Sequence, residues 1–240
     1  MTVETAKGAY MKVRLISYSQ PPEDGFIGLD NVQDLIAYCA RVSNPSNQIN
    51  SATAEKLIKY LIKHQHWSPL EMVSACMEIE TTRDIARQIL RHRSFSFQEF
   101  SQRYADPTQD LEFVVREARL QDPVNRQNSI DIETDPSIQE DAKMTEMLMQ
   151  WRRRQHGLIN QSRDLYKWAI DHGIAKEQAR AVLPEGLTMS RMYMNGTLRS
   201  WIHYIELRSA NGTQKEHMEV ARECAKVIAD VFPLAKQLTK

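Results

Sequence analysis

The sequence predicts an α+β fold. Residues 10–18 and 71–80 alternate apolar and polar side chains with the period of two expected of a half-buried strand. Other segments, among them 137–172 and 214–231, repeat their apolar residues at helical spacing. Strands and helices are interspersed without regular βαβ units, which points away from a doubly wound parallel sheet. At 240 residues the chain is expected to form a single domain, 1–240, with one sizeable core.

Each element follows from its local pattern. In residues 10–18, Val13 and Leu15 alternate with Lys12 and Arg14. Pro21, Pro22 and Gly25 make a turn. Residues 31–42 gather Leu35, Ile36, Cys39 and Ala40 on a helix, and 44–47 (Asn-Pro-Ser-Asn) form a loop. Ser51 is placed to cap a helix running to about His64, with Leu57, Tyr60 and Leu61 on its buried face. His66-Trp67-Ser68-Pro69 breaks that helix. In residues 71–80, Val73, Ala75, Met77 and Ile79 face one way. Thr81 or Thr82 opens a short helix carrying Ile85, Ile89 and Leu90, which delivers the chain to Arg91 and an expected loop. Residues 105–136 are polar, with Asp-Pro pairs at 106, 122 and 135, and read as an irregular excursion. The helix over 137–172 is expected to pack Met144, Leu148, Trp151, Leu158, Leu165 and Trp168 into the core, leave Arg152 to Arg154 solvated, and end at Gly173. A short helix over 176–183 stops at Pro184, and 188–195 read as a strand. Gly196 and Thr197 turn into a helix over 198–208 that buries Trp201, Ile205 and either Leu207 or Tyr204. The final helix, 214–231, buries Met218, Ala221, Cys224, Ala225 and Ile228.

Composition narrows the function. Lys plus Arg equals Asp plus Glu at 31 each, so no overall basic excess points to nucleic acid. Cys39, Cys76 and Cys224 lie far apart among apolar neighbours, which suits buried thiols and not disulfides or nucleophiles. No HExxH or paired-cysteine spacing is present, so no metal site is expected. Neither dinucleotide nor Walker fingerprints nor a GxSxG elbow occurs. No apolar run reaches membrane length and no leader-like h-region opens the chain, so no membrane partner and a cytoplasmic location are expected.

The chemistry concentrates in Arg91-His92-Arg93-Ser94-Phe95-Ser96-Phe97-Gln98-Glu99-Phe100-Ser101-Gln102-Arg103-Tyr104. Three guanidiniums, an imidazole and three serines surround one carboxylate. Guanidinium forks fit phosphate and planar imide oxygens, and hydroxyls and Glu99 can select among ligands. Cations at a helix C-terminus account for Arg91 and His92 but not for Glu99, Ser101 and Arg103. Arg180, Arg199 and Arg208 are further candidates, each with surface ion pairing as its alternative. Phe95, Phe97 and Phe100 are expected to pack beneath the motif. A single-stranded nucleic-acid binder would use them for stacking, which the balanced charge disfavours.

This string, RHR followed by seven residues and Ser101, resembles the signature of the flavin-dependent thymidylate synthases. Gln88, Ser96, Glu99, Arg103 and Tyr104 extend the match. So do 40–43 (Ala-Arg-Val-Ser), His66-x-Ser68-Pro69-x-Glu71, Ala179-Arg180-x-Val182-Leu183-Pro184 and Arg199-Ser200-Trp201-x-His203-Tyr204-x-x-x-Arg208. The resemblance covers about residues 10 to 230. It implies that family's fold, a central, mostly antiparallel sheet flanked by helices, assembled as a homotetramer with shared active sites. It also implies methylation of dUMP to dTMP, with carbon from methylenetetrahydrofolate and electrons from NADPH through FAD. By this resemblance dUMP would contact Gln88, Ile89, Leu90, Arg91, Glu99, Phe100, Ser101, Gln102, Arg103, Arg180 and Arg208. Arg103 and Arg180 would take the phosphate, and Arg208 would face the uracil. FAD would contact Ser43, Ser68, Arg91, His92, Arg93, Glu99, Thr197, Leu198, Arg199 and His203. Arg208, Ser101 and His66 would carry the reaction, with Ser101 positioning the nucleotide. Three departures stand out: Met72 where many members have a second histidine, Thr197 for asparagine, and Gly212-Thr213-Gln214 where His-Ala-Gln is common. They leave open the alternative of a nucleotide-phosphate-binding protein without redox activity.

Overall fold

The computed structural model describes residues 11–22, 28–132 and 142–237. A four-stranded antiparallel sheet holds strands β1 (Lys12–Tyr18), β2 (Ser74–Thr82), β3 (Ser96–Glu99) and β6 (Met189–Thr197) in the order β1-β2-β6-β3. β6 pairs along its whole length with β2, from Ser74↔Thr197 to Thr82↔Met189, and on its other edge with β3, from Ser96↔Asn195 to Glu99↔Met192. Its burial alternates residue by residue, with Met192 and Met194 inside and Arg191, Tyr193 and Asn195 outside. The register of β1 on β2 shifts between Leu15 and Ser17.

Among the described residues this sheet is joined by helices. They are α1 (Val32–Ala40), α2 (Ala54–Lys63), α3 (Arg83–Ile89), α4 (Pro107–Asp110), α5 (Ala142–Asp171), α6 (Lys176–Ala179), α7 (Leu198–Ser209) and α8 (Lys215–Val231). The main core joins Ala75, Met77 and Ile79 of β2 to Ile85 and Ile89 of α3, Trp201 and Ile205 of α7, and Val220, Cys224 and Ile228 of α8. Trp201 is fully buried, and its indole N–H donates to the Ala75 carbonyl at 3.0 Å, so a large ring enters the core with its polar atom satisfied. Phe95 lies under the motif as expected, edge-on to Trp201 with centroids 4.9 Å apart. Of the two candidates at the end of α7, Tyr204 is buried and Leu207 exposed.

Several expectations are corrected. Ser51 does not cap α2. It opens a 3-10 turn, Ser51–Thr53, and makes no capping bond. Ala54, Ile58 and Leu61 form the buried face of α2, while Tyr60 is exposed beside the rings of His64 and His66. The motif does not run on as a loop after Arg91, because Ser96–Glu99 pair with β6 as an edge strand. Four residues are too few for alternation to announce a strand. The excursion is partly ordered: Asp106 caps α4 ahead of Pro107, and β4 (Arg119–Gln121) and β5 (Ser129–Asp131) form a hairpin. Asp135-Pro136 lies outside the described residues. On α5 the stripe read as core is largely exposed: Trp151, Leu158, Leu165 and Trp168 each keep close to half their surface. The face turned to the rest of the chain is Gln155, Ile159, Ser162, Tyr166 and Ala169. Periodicity identifies an apolar face without saying what covers it.

Candidate active site

The site is built where α3 ends, β3 leaves the sheet and α7 and α8 meet. Gln88 occupies the last turn of α3, and Arg91, His92 and Arg93 follow in the turn beyond it. The α7 end supplies Arg208, whose Nε donates to His92 Nε2 at 2.9 Å. Because Nε2 accepts, His92 is neutral and carries its proton on Nδ1. Burial, and then the neighbouring Arg208 charge, push this imidazole down to about 4. Its ring stands edge-on to Tyr204 at 4.9 Å, which fixes its plane.

The second cluster forms around the start of α6. Arg103 approaches the Glu177 carboxylate at 3.6 Å, Arg180 Nε donates to the Glu177 carbonyl at 3.4 Å, and Lys176 Nζ donates to the Tyr104 carbonyl at 3.0 Å. The two arginines expected to share a phosphate are therefore brought together. Among the described residues, Arg91, Arg93, Arg180 and Arg208 make no ion pair with a carboxylate, whereas Arg87, Arg116 and Arg119 all do. In a chain of zero net charge these four guanidiniums lack a neutralising carboxylate and are suited to phosphate or another anion. Gln102 is buried, and its Nε2 has no hydrogen-bond partner, leaving a donor for an acceptor the chain does not provide.

The remaining candidates are spread over both ends of β6, with Thr197, Leu198 and Arg199 at its last residue and Phe100 and Ser101 beyond the pairing of Glu99 with Met192. Ser68 opens the 3-10 turn Ser68–Glu71, and Glu71 pairs with Arg199 in the first turn of α7. His203 stacks edge-on against Trp67 at 4.6 Å. Thr197 caps α7 by accepting the Ser200 amide at 3.3 Å, so its hydroxyl is already engaged. The amide of Leu198 donates to the Val73 carbonyl at 2.9 Å and its side chain is in the core. Ile89 is likewise a core side chain, and its carbonyl accepts the His92 amide. Leu90 packs against the core and the Phe100 amide is paired with Arg191, while Ser101 closes a turn with Tyr104. Ser43 sits in the turn after α1, exposed. His66 is exposed beyond α2, held by a helix stop in which Gln65 takes φ of 57° and the His66 amide donates to Leu61. None of its ring contacts reaches Ser101 or Arg208.

Glu99 has partners within the chain. Arg87 Nη2 contacts both of its oxygens, at 2.6 and 2.5 Å, and the Ser190 hydroxyl donates at 2.8 Å. Sequence reading missed Arg87, which lies one helical turn before Arg91 and was hidden by the density of arginines around it. It also missed Glu216 and His217, buried on the inner face of α8. Their signal was the polar pair interrupting an otherwise apolar face. At Gly212 the backbone has φ of 89°, and a Cβ would meet the Gln127 side chain at 3.1 Å, so the loop is shaped around the glycine found there. A cavity of about 460 Å³ lies beside the hairpin, lined by Gln214 and by Asp84, Arg116, Arg119 and Glu216, which pair with one another.

Comparison with known proteins identifies the lineage. Residues 27–234 match the family described as thymidylate synthase complementing protein. A probable flavin-dependent thymidylate synthase of Paramecium bursaria Chlorella virus 1 is 47% identical over 229 residues, covering 95% of this chain and 99% of that one. The flavin-dependent thymidylate synthase of Synechocystis is 45% identical over 228 residues, covering 93% and 96%. In fold, the chain is similar to a UMP/dUMP methylase, PolB from Streptomyces cacaoi, solved with 5-Br dUMP, at a TM-score of 0.73 and 24% identity over 95% of this chain and 93% of that one. Matched along most of its length by these sequences, the chain belongs to the flavin-dependent thymidylate synthase family.

Proposed function

We propose that this enzyme methylates dUMP to dTMP, with methylenetetrahydrofolate as carbon donor and NADPH as reductant through FAD. Thymidylate synthesis and dependence on flavin come with the family. The observation that supports the assignment of roles is the surplus of guanidiniums without carboxylate partners at the motif, Arg180 and Arg208. In this reading Arg103 and Arg180 hold the nucleotide phosphate in place of their present contacts with Glu177. Gln88 and Ser101 orient the nucleotide. Arg208, aimed by neutral His92, faces the uracil and stabilises negative charge developing on its oxygens. Arg91, Arg93 and Arg199 provide charges suited to the pyrophosphate of FAD, with Ser68 and His203 beside them. FAD supplies the hydride chemistry when bound, and the chain supplies orientation and electrostatics. The thiols fit no covalent role: burial raises all three, and Cys224 is wholly enclosed.

We assign a homotetramer with active sites shared between subunits. The exposed apolar face of α5 supports it, as do cationic groups that the single chain leaves without carboxylates. Three unpaired cysteines suit a reducing cytoplasm. Among the described residues no helix is long and apolar enough to cross a membrane. The decisive experiment is turnover of labelled dUMP by the flavin-loaded protein with NADPH and methylenetetrahydrofolate. Labelled dTMP is expected, lost when any one of the three is omitted. A flavin-loaded protein that leaves dUMP unchanged under all these conditions overturns the assignment.

A further inference from the structure

A line of hydrogen bonds runs from the core to Gln88. The Tyr204 hydroxyl lies 3.2 Å from His217 Nε2, and His217 Nδ1 lies 3.3 Å from Gln88 Oε1. Gln88 Nε2 donates to Gln214 Oε1 at 2.8 Å, and Gln214 Nε2 donates to Glu216 at 3.0 Å. The direction of the whole line is set at one end. Glu216 is buried, and Arg119 contacts both its oxygens at 2.7 and 3.0 Å while Arg116 approaches at 3.0 Å, so it stays ionised and can only accept. Gln214 must then present its nitrogen to Glu216 and its oxygen to Gln88. Gln88 must turn its nitrogen to Gln214 and its oxygen to His217. That oxygen requires a proton on His217 Nδ1, which leaves Nε2 to accept from Tyr204. Reversing any one member sets donor against donor or acceptor against acceptor within the line.

We propose that His217 is a positioning residue for substrate: with Tyr204 and the Gln214–Glu216 pair, it locks the side-chain amide of Gln88 in one orientation. A locked amide presents its remaining N–H and lone pair in fixed places. A pyrimidine ring whose edge carries carbonyl oxygens and an imide N–H is recognised by where those places are. A freely turning amide meets that edge correctly only part of the time and loses rotamer entropy on binding. The imidazole is fully buried and stays neutral, pushed down to about 3 by burial, Arg208 and His92. It contacts no ligand in this account and acts only through Gln88. The inference rests on the proposed role of Gln88 in holding dUMP.

The test is calorimetric binding of dUMP to the flavin-loaded enzyme, alongside KM and kcat. Gln88→Leu checks the reading beneath it, and a variant that binds dUMP as tightly as the parent overturns that reading and this inference together. His217→Leu removes the donor, and His217→Asn returns an amide N–H near the position of Nδ1. His217→Leu is expected to weaken dUMP binding about tenfold, the value of one hydrogen bond, and to raise KM with kcat little changed. His217→Asn is expected to recover most of the loss, and a packing role alone would not produce that recovery. If Gln88→Leu loses dUMP while His217→Leu binds it normally, the site stands and the relay is overturned. Equal losses in the Leu and Asn variants also overturn it. Should His217→Leu fail to fold, Tyr204→Phe decides, because it keeps the ring and frees the tautomer: a rise in dUMP Kd of about threefold supports the relay, and an unchanged value overturns it.

Discussion

At the scale of single residues, Arg208 is the group whose loss is easiest to read. It donates through Nε to neutral His92, so its remaining guanidinium N–H groups are free to face a ligand. In Arg208→Ala, turnover of dUMP is expected to fall by about a hundred- to a thousandfold, the usual cost of removing a donor aimed at developing charge. FAD should still bind, because its proposed contacts at Arg91, Arg93 and Arg199 are untouched. Steady-state turnover combined with the flavin absorbance of the purified variant measures both, and normal turnover would remove Arg208 from its role. The residue was legible in the sequence because it falls at the end of a long collinear match. Its dependence on His92 was not, since nothing in spacing alone brings positions 92 and 208 to hydrogen-bond distance. Gln88 and His217 show the same limit: the sequence named the first from the motif and passed over the second, which matters only through a contact across the core.

Among the elements, β6 bears the closest tolerances, because it pairs on both edges and lies over the aromatic cluster. Gly196, near its end, would place a Cβ 2.4 Å from Phe95 Cδ1 and 2.6 Å from Cε1. Phe95 has little room to yield, with Trp201 at 4.9 Å and Tyr204 at 5.9 Å. Gly196→Ala is therefore expected to destabilise the fold by about 2 kcal/mol, and adding Phe95→Leu should return part of it. Urea midpoints for the single and double variants measure the effect, and a neutral single variant would show that the ring moves aside at little cost. The strands β1, β2 and β6 were legible because their alternation is long enough to count, whereas β3 is only four residues and hides inside a motif dense with polar groups. The helices were legible as helices, but the buried face of α2 was misassigned because Tyr60 follows the apolar period while lying on the exposed side. The hairpin of β4 and β5 left even less trace: it is tied down by charges, with Lys215 reaching Glu117 and Asp131 at 2.7 and 2.8 Å, instead of by an apolar face.

Over the whole molecule, buried ionisable groups and the outer face of α5 lead to two further expectations. His92 and His217 fold as neutral imidazoles at about 4 and about 3, against an ordinary value of 6.5. Below 6.5 the unfolded chain takes up protons that the native chain refuses, so stability falls with pH through this window, by up to about 1.4 kcal/mol per unit for each histidine. Burial opposes ionisation of Glu216, but Arg116 and Arg119 outweigh it and hold the carboxyl below its usual range, so its contribution is lost only as pH falls further. Urea unfolding from pH 7 to 4.5 at fixed protein concentration should show the decline, and His217→Asn should flatten it; equal slopes would refute the assignment. The face of α5 concerns assembly. Trp151, Leu158 and Leu165 recur at intervals of seven along a 30-residue helix, an exposed seam with the spacing of helices packed side by side, and Met144, half-buried, stands one interval earlier. A soluble monomer has little reason to keep two tryptophans and two leucines about half exposed along one helix. Placing charge on this seam, in the pair Leu158→Glu and Leu165→Glu, is expected to leave helix content intact and convert the proposed tetramer to smaller species. Sedimentation gives the mass and circular dichroism the helix content. Turnover should fall with the mass even though neither leucine belongs to the proposed site, because the sites proposed to be shared would separate with the subunits. A parent protein that sediments at the 27.8 kDa of one chain while turning over dUMP at full rate would defeat the idea.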